Sequence, residues 1–305
     1  MDLRQLEYFL AIAKRRSFTA AASELGLTQP SLTKTIRALE QELSVQLFER
    51  LPRGVELTSF GNSLLHHAEA MRVQVQDARN EIEELRGGTF GLVTIGAGPA
   101  WLRRHLPKAV SQTLARNPGI KVRIESGYDE GLISLLRRGE VDFVVAELPT
   151  SERSRDLGVA PLTSDGLGVC CRAKHPLARA RSLALKRLLD YPWIMPPRSS
   201  RVHRRVNALF VAADLPAPEP LVEAESMAFQ LQMLRESDAL TYTVHTTLLS
   251  AEAAGLTMLN VPQLRASREA GIISRRGAWL SPAGQRHHQR AQEDLRRLPK
   301  RVTGG

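Results

Sequence analysis

Gln29, Ser31, Thr33, Lys34 and Arg37 fall on one side of a stretch whose apolar residues, Leu32, Ile36 and Leu39, recur at helical spacing on the other. Their chemistry is that of groove reading. A glutamine amide pairs bidentately with adenine, lysine or arginine with guanine or phosphate, and serine or threonine with a base edge or the backbone. The same side chains would also suit the solvated face of an ordinary helical hairpin. The elements that hold this helix separate the two readings.

Ser17 to Glu42 reads as two helices meeting at a sharp corner, a helix-turn-helix. Phe18, Ala21, Ala22 and Leu25 share one face of the first helix. Gly26 tolerates the torsions that stop it. Leu27 fills the corner, Thr28 offers a hydroxyl cap to the second helix, and Pro30 lies in its first turn, where a missing amide hydrogen costs little. Upstream, Leu3, Leu6, Phe9, Leu10 and Ala13 mark an opening helix, and Ser17 caps the one that follows. Downstream, ERLPRGVELT places the turn Pro52-Arg53-Gly54 between two short extended arms. This is a wing, with Arg53 at its tip for phosphate or minor-groove contact.

A long helix, capped by Thr58 or Ser59, then runs to Gly87-Gly88. Leu64, Ala68, Met71, Val75, Ala78, Ile82 and Leu85 alternate spacings of four and three, the seam of a coiled coil that calls for a partner helix.

The pattern FLAIAKRRSFTAAASELGLTQPSLTKTIRALEQELSVQLFER, followed by RGVELTSFGNSLL, closely resembles the amino-terminal region of the LysR-type transcriptional regulators. The resemblance implies a winged helix-turn-helix, a dimerising linker helix, and an effector-binding part shaped like a periplasmic binding protein. It also implies a homodimer or homotetramer on double-stranded DNA, a small-molecule co-inducer, and RNA polymerase as a further partner. The positions matching the family's base and backbone contacts are Gln29, Pro30, Ser31, Thr33, Lys34, Arg37 and Arg53, with Ser17 and Thr19 as backbone contacts.

From Leu92 onward strands and helices alternate. LVTIGA, IKVRIES and VDFVVAEL read as strands; WLRRHLPKAVSQTLARNP and GLISLLRRGE read as helices between them. This is an α/β arrangement with a parallel sheet, whose ligands sit beyond the carboxyl ends of the strands. The loops Gly96 to Trp101 and Ser126 to Asp129 follow from that rule, and with them Gly98, Pro99, Ala100, Trp101, Gly127 and Tyr128 as effector contacts.

A second lobe is expected to begin near Leu162. Its strands are LGVCCRA, WIMP, residues 221 to 224 and ALTYTV, with helices at 183 to 189, 202 to 212 and 227 to 236. The chain then returns to the first lobe with SPAGQRHHQRAQEDLRRL. In MPPRSSR, Pro196 and Pro197 halt a strand, Ser199 or Ser200 caps a helix, and Arg198 and Arg201 flank its positive end, a place for a carboxylate, phosphate or sulfonate. The competing reading pairs these arginines with Glu223 or Glu225 or turns them to solvent. Ser226 and Met227 complete the expected site from the other side. The expected boundaries are 1–58 for the winged domain, 59–88 for the linker helix and 89–305 for the effector domain. Lobe I then takes about 89–162 and 266–305, and lobe II about 163–265.

The 305 residues carry a formal charge of +10, which invites a polyanionic partner, yet the first sixty residues are nearly balanced. Surplus positive charge lies instead between Arg172 and Arg205 and after Arg265. Adjacent Cys170 and Cys171 make a poor structural disulfide and fit two buried strand residues in a reduced, cytoplasmic setting. No apolar run is long enough for a bilayer, and the start has neither the charge nor the apolar core of an export signal. Phosphate-loop, zinc-protease and nucleophile-elbow patterns are missing, and Gly96-Ala97-Gly98 lacks the third glycine of a dinucleotide fingerprint. His66-His67 and His287-His288 are adjacent pairs that point around a helix, not toward one metal. The expectation is a regulator without catalytic residues, metal or cofactor. A solute-binding or enzymatic two-lobed α/β protein is its rival.

Overall fold

The structure, a computed structural model, describes residues 1–52, 54–86, 92–116, 119–149 and 156–276. The chain divides into two compact units after Arg86.

The first unit opens with helix α1 (Leu3–Arg15), whose N-terminus is closed reciprocally: Gln5 N donates to Asp2 Oδ1 at 2.7 Å and Asp2 N donates to Gln5 Oε1 at 2.8 Å. Helices α2 (Phe18–Glu24) and α3 (Gln29–Leu43) follow. Ser17 Oγ accepts from Ala20 N at 3.2 Å and Thr28 Oγ1 from Ser31 N at 3.4 Å, so both expected caps are made. Gly26 takes φ +66° between them, a torsion at which a side chain would be strained. Leu6, Phe9 and Ile12 of α1, Ala21 and Ala22 of α2, and Leu32, Ile36 and Leu39 of α3 form one buried core.

Strands β1 (Phe48–Leu51) and β2 (Gly54–Leu57) pair antiparallel as the wing. The wing is tied to α1 through Val55 N, which donates to Arg16 O at 3.1 Å. Gly54 makes that approach possible: at φ +96°, a Cβ on it would lie 2.6 Å from Arg16 O. Arg53 lies outside the described residues.

Helix α4 (Ser59–Leu85) is capped by Thr58, whose Oγ1 accepts from Gly61 N at 3.0 Å. Its expected seam is divided. Ala68 is buried in the core of its own unit, Leu64 packs against that core, and Val75 lines a groove with Leu6 and Leu10 of α1. Met71 and Ile82 stay 39% and 56% exposed and Ala78 is exposed; nothing is described of the Leu85 side chain. The four-three pattern therefore combines an intradomain contact at one end with an uncovered apolar stripe, since neighbouring stripes on one helix differ by only tens of degrees.

In the second unit, β3 (Leu92–Ala97), β4 (Lys121–Ser126) and β5 (Phe143–Glu147) are parallel, with β3 in the middle. Between them lie α5 (Pro99–Arg104), α6 (Leu106–Arg116) and α7 (Asp129–Arg137). The expected single helix over 101–118 is thus broken at His105. Pro107 explains the break, since within one helix its ring would meet the carbonyl of the preceding turn and it has no amide hydrogen to donate.

Strand β6 (Leu157–Arg172) enters the second lobe. There β7 (Trp193–Met195), α8 (Arg201–Val211), β8 (Pro220–Glu223), α9 (Met227–Glu236), β9 (Thr241–Val244) and β10 (Leu256–Met258) follow. The helix expected at 183–189 is a short 3-10 turn over Leu185–Asp190. Strand β11 (Ala266–Arg275) returns antiparallel to β6 along its length and pairs with β5 at its far end. Two long strands therefore cross between the lobes. They join the parallel part to β9 and β10, both antiparallel to β6, in one mixed sheet of order β10-β6-β11-β5-β3-β4. The helix expected near the C-terminus lies outside the described residues.

Candidate nucleic-acid interface and effector cleft

On α3 the periodicity sorts the side chains cleanly. Leu32, Ile36 and Leu39 are buried, while Gln29, Pro30, Ser31, Lys34 and Arg37 are exposed and Thr33 is half-buried. Gln29 Nε2 donates to Thr33 Oγ1 at 3.0 Å, which holds the amide along the helix surface. Lys34 and Arg37 have no ion pair among the described residues. Thr19 is exposed on the first turn of α2, and Ser17 is half-buried with its hydroxyl given to the cap. The exposed set is thus a polar cationic strip on a helix whose opposite side is fixed in a core. Such a strip is free to enter a groove about 12 Å wide.

In the second unit a narrow cavity of about 40 Å³ lies at the carboxyl ends of β3 and β4, where the strand rule puts it. Gly98, Pro99, Ala100, Trp101, Gly127, Tyr128 and Met227, all expected from the sequence, line it. Gly98 N is spent on Val145 O at 3.0 Å, so the first loop offers mostly shape. Asp129, at the end of the second expected loop, and Pro196 of MPPRSSR line it too, whereas sequence reading missed the wall supplied by Glu147, Val202, Gln230, Tyr242 and Arg268. Burial pushes the Tyr128 and Tyr242 hydroxyls up to about 12, so both remain neutral donors.

The expected contacts Pro197, Arg198, Ser199, Ser200, Arg201 and Ser226 do not line the cavity. Each is occupied elsewhere. Arg198 lies on the surface, paired with Glu219 and, at 4.0 Å, with Glu223. Ser200 is buried and caps α8, accepting from His203 N at 3.2 Å. Ser199 O accepts from Arg204 Nη1 at 2.9 Å, Pro197 O from Ser200 N at 2.8 Å, and Ser226 caps α9 by accepting from Phe229 N at 3.3 Å. The Arg201 guanidinium donates to the carbonyls of Glu147 and Leu148 at 3.3 and 3.0 Å. The amino end of α8, expected to receive a ligand anion, already holds a carboxylate of the chain itself: Arg201 N donates to Asp129 Oδ2 at 2.9 Å.

That contact belongs to a set between the lobes. Asp129 and Glu130 begin α7 and Glu147 ends β5, all in lobe I. Arg201, Arg204 and Arg205 share one side of α8 in lobe II. Glu130 pairs with Arg204 and lies 3.8 Å from Arg201, and Glu147 pairs with Arg205. Burial raises the Asp129 pKa above the ordinary carboxylate value, although the Arg201 backbone and the nearby guanidiniums oppose this. Cys170 and Cys171 are both buried in β6, and burial pushes their thiols up to about 12, leaving them protonated near neutrality.

Residues 3–62 match the family described as "Bacterial regulatory helix-turn-helix protein, lysR family", and residues 86–296 match "LysR substrate binding domain". The chain is 33% identical over 254 residues to the HTH-type transcriptional regulator PcaQ of Agrobacterium fabrum, covering 83% of this chain and 81% of that protein. Over 242 residues it is 32% identical to the regulator GbpR of Azospirillum brasilense, covering 79% and 71%. In fold it is similar to a full-length OxyR variant from Pseudomonas aeruginosa, with a TM-score of 0.62 at 22% identity, over 97% of this chain and 95% of that one.

Proposed function

The chain belongs to the LysR family of transcriptional regulators, a DNA-binding regulator with an effector-binding domain, and on that premise we propose how its residues divide the work. The exposed side chains of α3 enter the major groove, with Gln29, Ser31, Thr33, Lys34 and Arg37 toward bases and phosphates. Ser17, Thr19 and Pro30 border the backbone, and Arg53, between β1 and β2 in sequence, is a further DNA contact. Two copies pair through the exposed stripe of α4 and set their recognition helices about 34 Å apart on successive major grooves. A pair of such dimers makes a tetramer, with RNA polymerase as a further partner, in the cytoplasm. Among the described residues no helix is long and apolar enough to cross a membrane. The relatives are named as regulators of transcription, and we assign this chain no catalytic residue.

A small organic effector occupies the cavity between the lobes, its apolar body against Trp101, Val202 and Met227. The hydrogen bond from Arg201 N to Asp129 and the ion pairs from Glu130 and Glu147 to α8 are what its entry rearranges. Coupling of that kind is typically worth about 1–3 kcal/mol between effector and DNA. The observation that carries the proposal is the sorting on α3, a buried apolar face backing an exposed strip with Lys34 and Arg37 free of ion pairs among the described residues. A gel shift with the full chain and duplex DNA from upstream of its own gene tests it. Retardation that survives excess unrelated duplex is expected; equal competition by unrelated DNA contradicts it.

A further inference from the structure

Arg268 lies on β11, one of the two crossing strands, and lines the cavity, its side chain only 12% exposed. The arginines of α8 are consumed by carboxylates and carbonyls, as described above. Arg268 is different. Its one ion pair among the described residues is to Glu147 Oε2 at 3.7 Å, and that carboxylate, 5% exposed, is already paired more closely by Arg205. Its Nε is buried without any acceptor among the described residues. A guanidinium carries five donors and no acceptor, and a buried donor left unpaired is costly. A carboxylate or sulfonate entering the cavity beside Arg268 would give this guanidinium a charge-assisted acceptor.

We propose that Arg268 is the anion receptor of the effector cleft and that the effector is a small organic acid. Its carboxylate or sulfonate sits on Arg268, and its apolar body lies against Trp101, Leu167, Val202 and Met227. This rests on the cleft being the effector site. The Nε edge suits a planar carboxylate or a sulfonate, either of which accepts two parallel hydrogen bonds from a guanidinium.

The test titrates the full-length chain with matched pairs, benzoate and benzamide, hexanoate and hexanamide, benzenesulfonate and benzenesulfonamide, reading melting temperature and calorimetric affinity. At least one acid is expected to bind while its neutral partner does not. Arg268→Gln should weaken that acid about tenfold or more, which is about 1.4 kcal/mol, and Arg268→Lys should retain part of the preference. Arg198→Gln controls for the loss of a lobe II arginine, because Arg198 lies on the surface, paired with Glu219 and Glu223, and does not line the cavity. It is expected to leave the acid-to-amide ratio unchanged. Acids and amides binding equally, no acid binding at all, or Arg198→Gln weakening acids as much as Arg268→Gln would each overturn the assignment. Amide binding that disappears in Met227→Asp would overturn the anion receptor while leaving the cleft itself in place.

Discussion

Asp129 and Arg201, 72 residues apart in sequence, meet where the first turns of two helices face each other: the carboxylate at the start of α7 accepts the backbone N–H at the start of α8 at 2.9 Å. One lobe thereby supplies the anion that the other lobe's helix end favours. Because the pair spans the lobes, its stability and the cleft's readiness to rearrange are linked.

Burial raises the Asp129 pKa, so the folded chain holds that proton more tightly than the unfolded chain does. The group's contribution is fully present below its unfolded value and is lost as pH rises through the folded one. Asp129→Asn keeps an acceptor for Arg201 N and removes the buried charge. It should be at least as stable as the parent at neutral pH, its advantage growing as pH rises out of the carboxylate range. Asp129→Ala, which removes the acceptor, should cost about 1 kcal/mol. Melting temperature against pH for the three proteins decides this, and a clear loss in Asp129→Asn at pH 7 would contradict it.

His175 in lobe II is held as the neutral ring. Leu177 N donates to its Nδ1 at 3.0 Å and its Nε2 faces Asp238 O at 3.1 Å, while burial lowers its pKa. The unfolded chain therefore takes up this proton first as pH falls. Stability is expected to decline from about pH 6.5 down to the folded value, where the slope ends. In His175→Gln that part of the slope should flatten; an unchanged slope would place the acid sensitivity elsewhere.

Met71 and Ile82 lie on one stripe of α4 and remain exposed. Ile82→Asp is expected to leave the monomer folded by circular dichroism and to reduce the assembly measured by light scattering. Retention of the parent's mass would show that the stripe is not the contact between copies.

The sequence was most informative where structure is local. The caps at Ser17, Thr28 and Thr58, the bend at Gly26 and the buried face of α3 each depend on residues within a turn or two, and all are present. The loops at the ends of β3 and β4 followed from topology and do line the cavity. What escaped was set by long-range pairing. Arg198 and Arg201 sit at a helix end as expected, but Glu219, Glu130 and the Glu147 carbonyl reach them from distant segments. Nothing in the spacing around Arg268 distinguishes it from a solvated strand arginine. Its place beside the cleft is fixed by pairing with β6, where it stands opposite Asp165 about a hundred residues earlier. Likewise the seam of α4 was read as one surface because periodicity cannot tell a neighbour in the same unit from a second copy.

The most direct measurement is fluorescence anisotropy of a labelled duplex from upstream of the chain's own gene, at fixed salt, with the parent, Lys34→Ala and Arg37→Ala. Both variants should keep the parent's melting temperature, because the two side chains are exposed, and each should lose roughly 1–3 kcal/mol of specific affinity. Unchanged affinity in both would mean that the exposed strip of α3 does not face DNA.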